Sequence, residues 1–284
     1  MASHLSRSEQ LPIIEKEYLT QSRLESFCKC PEAYRRRYIE GEIIPPGISL
    51  AKGTGVHAGA ALNFTQKIES RVDLPASQIV EAAVAGFEEE TRDGVSLMDD
   101  ERSRGETIVL ADAKDSVAKM AEVHAKQQAP EYQPVLVEQT VEIELPNAEV
   151  NLRGTLDLAD DRRIVVDLKT SGRSKSQDEA DQSVQLTVYA AAYHAATGEP
   201  SAEQRLETIV QTKTKTYRDM KSTTRTLADY RALAHRINAV HEAIRAGVFP
   251  PTTPGSWWCD PRYCGFFNRG CPYVNSERTA RVDG

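Results

Sequence analysis

Asp157, Asp167 and Lys169 offer the most direct chemistry in this sequence. They lie in two short runs, Leu152-Arg153-Gly154-Thr155-Leu156-Asp157 and Ile164-Val165-Val166-Asp167-Leu168-Lys169, separated by an Asp160-Asp161-Arg162 turn. In the second run Ile164, Val166 and Leu168 alternate with Val165, Asp167 and Lys169, so a strand puts the acid and the lysine on one face. In the first, Val150, Leu152, Leu156 and Leu158 share one face, and Arg153, Thr155 and Asp157 share the other. Two carboxylates beside one ammonium can hold a hard divalent cation and meet a phosphate. The competing reading is the solvated polar face of a half-exposed sheet.

The acids meet only if the runs form a hairpin whose opposed residues have numbers summing to an even value. A three-residue loop at Asp160 to Arg162 satisfies this. It sets Asp157 opposite Val165, with Asp167 diagonal to it at roughly 7–8 Å. A two-residue loop would send the acids to opposite faces.

The surrounding chain must supply the elements that hold this hairpin. Residues 1–17 read as a polar leader. Thr20 can cap a helix start, and Leu24, Phe27, Tyr34 and Tyr38 are helically spaced, with Pro31 dividing the stretch into two short helices at Cys30. Lys52 to His57 opens a helix reaching about Glu69, where Gly53 and Gly55 permit a close backbone approach or a tight turn. A lone histidine such as His57 is more often structural than a ligand. Helices are expected near 76–92 and 105–128, separated by a charged Asp99-Asp100-Glu101-Arg102 loop. Val135 to Leu145 reads as a strand, Glu179 to Thr197 as a helix, Arg205 to Thr214 as a strand and Leu227 to Val248 as an amphipathic helix. On the 179–197 helix Gln185 and Tyr189 share a face, as ordinary helix surface often does. Residues 249–275 are loop-like.

Forty per cent hydrophobic and 27% charged residues are ordinary values for a soluble domain. No run approaches the roughly 18 apolar residues of a membrane span, and the N-terminus has no apolar signal core, so an intracellular, cytoplasmic protein is expected. A net charge of −7 argues against a broadly basic nucleic-acid surface but leaves room for a local basic groove. Two basic runs, Arg35-Arg36-Arg37 and the Lys213, Lys215, Arg218, Lys221, Arg225 series, are read as solvated faces or as part of such a groove. The five cysteines cluster as Cys28 and Cys30 near one end and Cys259, Cys264 and Cys271 near the other. In an intracellular chain that leans toward metal ligation rather than disulfides.

In chain order these features form a series: Phe-x-x-Cys-Pro-x-x-Tyr (Phe27 to Tyr34), Gly-x-x-x-His (Gly53 to His57), Gly-x-x-Asp (Gly154 to Asp157), Asp-x-Lys (Asp167 to Lys169), Gln-x-x-x-Tyr (Gln185 to Tyr189), then three cysteines. The series resembles the RecB-like nucleases of the PD-(D/E)XK superfamily. Within it the likeness is to the iron–sulfur branch that includes CRISPR-associated four-cysteine exonucleases and AddB-type nuclease domains. It spans roughly residues 20–275.

That resemblance implies an α/β fold with a restriction-endonuclease-like core, a mixed central sheet flanked by helices. After a flexible leader over 1–19, the nuclease domain would run over 20–275. It would comprise a helical covering (51–130), the catalytic sheet and helix (131–215) and a C-terminal helix with a cysteine-rich clasp (226–275), followed by a tail over 276–284. His57, Asp157, Asp167 and the Leu168 backbone carbonyl would ligate manganese or magnesium. Lys169 would be catalytic, with Asp157 and Asp167, while Gln185 and Tyr189 would contact DNA or steady the site. Cys30, Cys259, Cys264 and Cys271 would hold a four-iron four-sulfur cluster, with structural zinc as the alternative and Cys28 a spare.

The implied activity is metal-dependent hydrolysis of DNA. It is exonucleolytic with possible endonuclease action, prefers single-stranded ends, and serves recombination, repair or phage DNA processing, with a recombination or helicase partner and oligomers both compatible. The rivals are a non-catalytic DNA-binding or assembly subunit that keeps the fold, and a zinc-stapled enzyme of another activity.

Overall fold

The computed structural model describes residues 18–253, 255–267 and 269–274, so the first 17 residues of the expected leader and the 276–284 tail lie outside it. A six-stranded mixed sheet organises the chain: β1 (Tyr18–Thr20), β2 (Pro134–Ile143), β3 (Asn151–Asp160), β4 (Ile164–Ser171), β5 (Glu203–Gln211) and β6 (Thr216–Thr223). β4 is a central strand, antiparallel to β3 and parallel to β5, and its residues Ile164 to Leu168 are buried on both faces. Such two-sided burial explains its near-continuous apolar run. β6 closes the far edge antiparallel to β5. Its Arg218, Asp219 and Lys221 mask any apolar alternation, as charged residues do on edge strands.

Helices cover both faces. On one side α8 (Val184–Thr197) packs with α1 (Gln21–Lys29) and α9 (Leu227–Arg245) over Leu152, Leu156 and Val165. On the other lie α3 (Ile48–Ser70), α4 (Ala76–Thr91) and α6 (Glu106–Val123). Two shorter helices precede α3 and α6: α2 (Pro31–Tyr34), which follows Cys30, and α5 (Asp99–Arg104). Thr20 does cap α1, its Oγ1 accepting the Arg23 N–H at 3.3 Å.

Several boundaries differ from the sequence reading, each for a local reason. α3 begins at Ile48, so Gly53 and Gly55 lie inside the helix rather than in a turn. Gly55 is required there, because a Cβ would sit 2.7 Å from the Ala83 carbonyl oxygen of α4. The Asp99-Asp100-Glu101-Arg102 stretch is helical rather than a loop, helped by Glu101, which accepts the Met98 N–H at 2.8 Å. The single helix expected over 179–197 is two, α7 (Gln177–Asp181) and α8. Ser183 restarts it by accepting the Leu186 N–H at 3.1 Å.

The hairpin register also needs correction. β3 and β4 pair as Leu158 with Val166 and Ala159 with Val165. The loop is Asp161 to Arg163, still three residues, so the parity argument holds. The frame, however, is shifted by two, and Asp157 lines up with Asp167 rather than with Val165. Beyond those two pairs β4 swings away from β3, and the Leu168 N–H donates to the Asp157 carboxylate at 2.8 Å instead of to a backbone carbonyl. At its other end, the same edge of β3 pairs with β1 over Asn151 to Arg153. The residues between, Gly154 to Asp157, form a gap in the ladder on that edge.

Nor do Leu156 and Leu158 share a face. Leu156 packs with Val188 of α8, whereas Leu158 packs with Phe64 of α3. The switch falls between the pairs Gln139 with Leu156 and Val137 with Leu158. Between them Glu138 takes a left-handed φ of 47°. One residue in that conformation reverses the sidedness of an extended strand, as a bulge does. The reversal occurs beside Asp157.

Candidate active site

The ladder gap is roofed by α8, and Gly154 sets how closely. A Cβ there would lie 2.8 Å from Val188 Cγ1, so only glycine lets α8 settle onto β3 at this point. Helix spacing then carries Gln185 and Tyr189 over the acids. The Gln185 Nε2 donates to the Tyr189 hydroxyl at 2.9 Å, and that hydroxyl donates to Asp157 Oδ1 at 2.7 Å. Tyr189 is 2% exposed, so its ring is part of the core and its hydroxyl serves Asp157. Burial, followed by the charges of Asp157 and Asp167, holds its phenol well above the usual range, and it stays a donor.

From the opposite layer α3 delivers His57. Its Nε2 lies 2.8 Å from the Leu168 carbonyl oxygen and its Nδ1 lies 4.0 Å from Asp157 Oδ2. Behind His57 a small pocket is walled by His124, Gln128, Leu168 and Lys169. Burial pushes the His124 imidazole down to about 4, so His124 faces this pocket as a neutral ring.

Asp167 is 1% exposed, and Lys169 donates to its Oδ1 at 2.6 Å. Burial raises the Asp167 carboxyl above the carboxylate range and Asp157 adds to this, while Lys169 opposes it. For Lys169 burial acts downward, but the Asp167 and Asp157 charges outweigh it and leave the ammonium favoured.

The structure thus brings His57, Asp157, Asp167, Leu168, Lys169, Gln185 and Tyr189 into one neighbourhood. The ligand atoms that converge most tightly are those of His57, Asp157 and a residue that sequence reasoning missed, Glu138, all within 4.8 Å of one another. Desolvation, with Asp157 beside it, raises the Glu138 carboxyl. Its only sequence signal is an acid in an otherwise apolar run, Val135 to Val137. What aims it is the left-handed backbone, a conformation that costs on the order of 1–3 kcal/mol and tends to persist at functional sites.

The basic runs are largely consumed by the fold. Arg218 pairs with the fully buried Glu207, Lys221 donates to Asp219 at 2.6 Å, and Arg225 Nη2 donates to the Ala180 carbonyl at 2.8 Å. In the other run Arg36 pairs with Glu42, donates to the Arg269 carbonyl at 2.8 Å and stacks over Phe266 at 4.6 Å. It therefore ties the α2 region to the cysteine-rich segment.

None of the five cysteines is in a disulfide. Cys264 is raised by burial and also feels Cys30, Cys271 and Cys259, whereas Cys28 is raised by burial and feels Arg236, Glu25 and Lys29 instead. Among the described residues no helix is long and apolar enough to cross a membrane.

No curated protein matches the chain. Among solved structures, a candidate exonuclease from Eubacterium rectale is 14% identical, with 88% of this chain and 90% of that one covered and a TM-score of 0.48. A protein designated SSO0001 is 18% identical over 76% of this chain and 98% of its own, with a TM-score of 0.34. The sequence model of the PD-(D/E)XK nuclease superfamily matches residues 18–274, the whole described sheet and both helical layers included. On that match, the chain belongs to the PD-(D/E)XK nuclease superfamily.

Proposed function

We propose that the protein is a divalent-metal-dependent deoxyribonuclease that acts as an exonuclease on single-stranded DNA ends, from the iron–sulfur, RecB- and AddB-like branch of its superfamily. The observation that carries the reading is the convergence of His57, Glu138 and Asp157 beside the Asp167–Lys169 pair. The donor set suits a hard cation. Carboxylate oxygens, a main-chain carbonyl and one imidazole are the donors that magnesium and manganese take. His57, Asp157, Asp167 and the Leu168 carbonyl would hold manganese or magnesium, with Glu138 as a further carboxylate. A cation bound there supplies positive charge to the scissile phosphate and lowers the pKa of a coordinated water.

This chain's own residues do the rest. Tyr189 fixes Asp157 in one orientation, and Gln185 fixes Tyr189. Lys169, kept protonated by its acidic neighbours, can donate to a phosphate oxygen as charge develops or orient the attacking water. The test is end-labelled single- and double-stranded DNA incubated with manganese or magnesium. Metal-dependent release of short products from single-stranded ends is expected, slowed on the order of 10²–10³-fold in Lys169→Ala. Cleavage that survives chelation, or is unchanged in Lys169→Ala, would sink the assignment.

Glu138 has its own readout. In Glu138→Gln, manganese affinity measured by calorimetry is expected to fall about tenfold or more, the scale for losing a supporting metal contact. The metal-free protein should melt at or above the wild-type temperature, because the variant removes a carboxylate that Asp157 repels. Unchanged affinity would remove Glu138 from the site.

A further inference from the structure

The aromatic residues of the cysteine-rich segment divide into two sets. Phe266 and Phe267 are buried, whereas Trp257 is 59% exposed and Tyr263 54% exposed. The exposed pair is built rather than scattered. Trp257 stacks on Trp258 at 3.6 Å with 28° between planes, and Tyr263 stands edge-on to Trp257 at 5.1 Å and 87°. With both neighbours in place Trp257 still keeps more than half of its surface exposed. Cations surround the group. Lys29 Nζ lies 4.6 Å over the Trp258 ring, and Arg262, held by Asp260, lies 5.6 Å from the Tyr263 ring centre. Arg173, on the segment leaving β4 just beyond Lys169 and paired with Glu179, lies within electrostatic reach of Tyr263.

A large exposed aromatic surface is uncommon on a soluble domain and marks an interaction site when its members are contiguous. Flat rings interleaved with cations in an otherwise acidic protein match one ligand chemistry well, unpaired bases on a phosphate backbone. A duplex does not offer its base faces, because each is already stacked. A buried shield, the role that fits Phe266 and Phe267, would not leave an indole more than half exposed.

We propose that Trp257 and Tyr263 form a stacking platform for single-stranded DNA and so act as a strand-selectivity determinant outside the acidic site. The proposal rests on the reading of the chain as a DNA nuclease, and its test uses binding rather than cleavage.

Fluorescence anisotropy would follow a labelled oligothymidine and a labelled duplex, without added divalent metal, for the wild type, Trp257→Ala, Tyr263→Ala and Trp257→Phe. Each alanine variant should weaken single-strand binding about fivefold or more, while duplex affinity stays within about twofold and Trp257→Phe recovers most of the loss. Visible absorbance and metal content matching the wild type would show that the cysteine segment is intact. Single-strand affinity unchanged in both alanine variants would overturn the platform, as would equal losses for single strand and duplex. A wild type that hydrolyses no DNA with any metal would overturn the nuclease reading, and the binding comparison would still decide the platform.

Discussion

Asp157→Asn is expected to lower metal-dependent cleavage on the order of 10³-fold or more while keeping the fold near wild-type stability. Asp157→Ala should lose both. The difference follows from what the carboxylate does. One oxygen accepts the Leu168 N–H at 2.8 Å, the other accepts the Tyr189 hydroxyl at 2.7 Å, and His57 Nδ1 stands 4.0 Å away. Asparagine keeps a carbonyl for the Leu168 amide and an amide toward Tyr189, whose hydroxyl can turn to accept it and donate to a flipped Gln185 amide, so the buried polar groups stay paired. It lacks the charge that a divalent cation requires, and the loss of several kcal/mol of transition-state stabilisation sets the expected rate effect. Alanine instead leaves the buried Leu168 N–H and the Tyr189 hydroxyl hydrogen without an acceptor, at about 1–3 kcal/mol each. Chemical denaturation alongside the cleavage assay separates the two variants. An asparagine variant that cleaves within a few-fold of wild type would place the chemistry elsewhere.

The polar face carrying Asp167 and Lys169 was legible because strand periodicity is insensitive to small register errors. An odd-length loop keeps the acids together whether Asp157 opposes Val165 or Asp167, and the three-residue loop does appear, one residue later than expected. What local pattern cannot reveal is a change of sidedness within a strand. Leu152, Leu156 and Leu158 read as one apolar face, yet Leu158 packs in the opposite layer, and across from that switch the left-handed φ at Glu138 of β2 points an unremarkable glutamate at Asp157 and His57. The same limit explains the basic runs. Arg36, Arg218 and Arg225 look like a phosphate-binding series, but Glu42, Glu207 and the Ala180 carbonyl, all distant or offset in sequence, claim them. Tertiary pairing of charges has no period. β1 was missed for a simpler reason: three residues are too few to show one.

Cys30→Ser should bleach the protein and lower its melting temperature on the order of 10 °C, whereas Cys28→Ser should change neither. Under the proposed cluster, Cys30 joins Cys259, Cys264 and Cys271 and closes a loop of more than two hundred residues; such a closure is worth about 5–6 kcal/mol in the chain-entropy treatment of cross-links, and a kilocalorie moves a domain of this size by a few degrees. Cys259 and Cys264 are both raised, by burial first and then by their cysteine neighbours. Bound iron or zinc must therefore drive their ionisation, which couples loading to folding. Thiolates serve both iron–sulfur and zinc centres, and the metal content of the purified protein tells the two apart. The Arg36 bridge to the Arg269 carbonyl and to Phe266 remains in the variant, so the ends should stay loosely docked rather than unfold with the core. Iron analysis, visible absorbance and thermal melting of the two serine variants decide the matter. A colourless wild type with one zinc per chain would reassign the metal, and bleaching by Cys28→Ser with colour retained in Cys30→Ser would exchange the two N-terminal ligands.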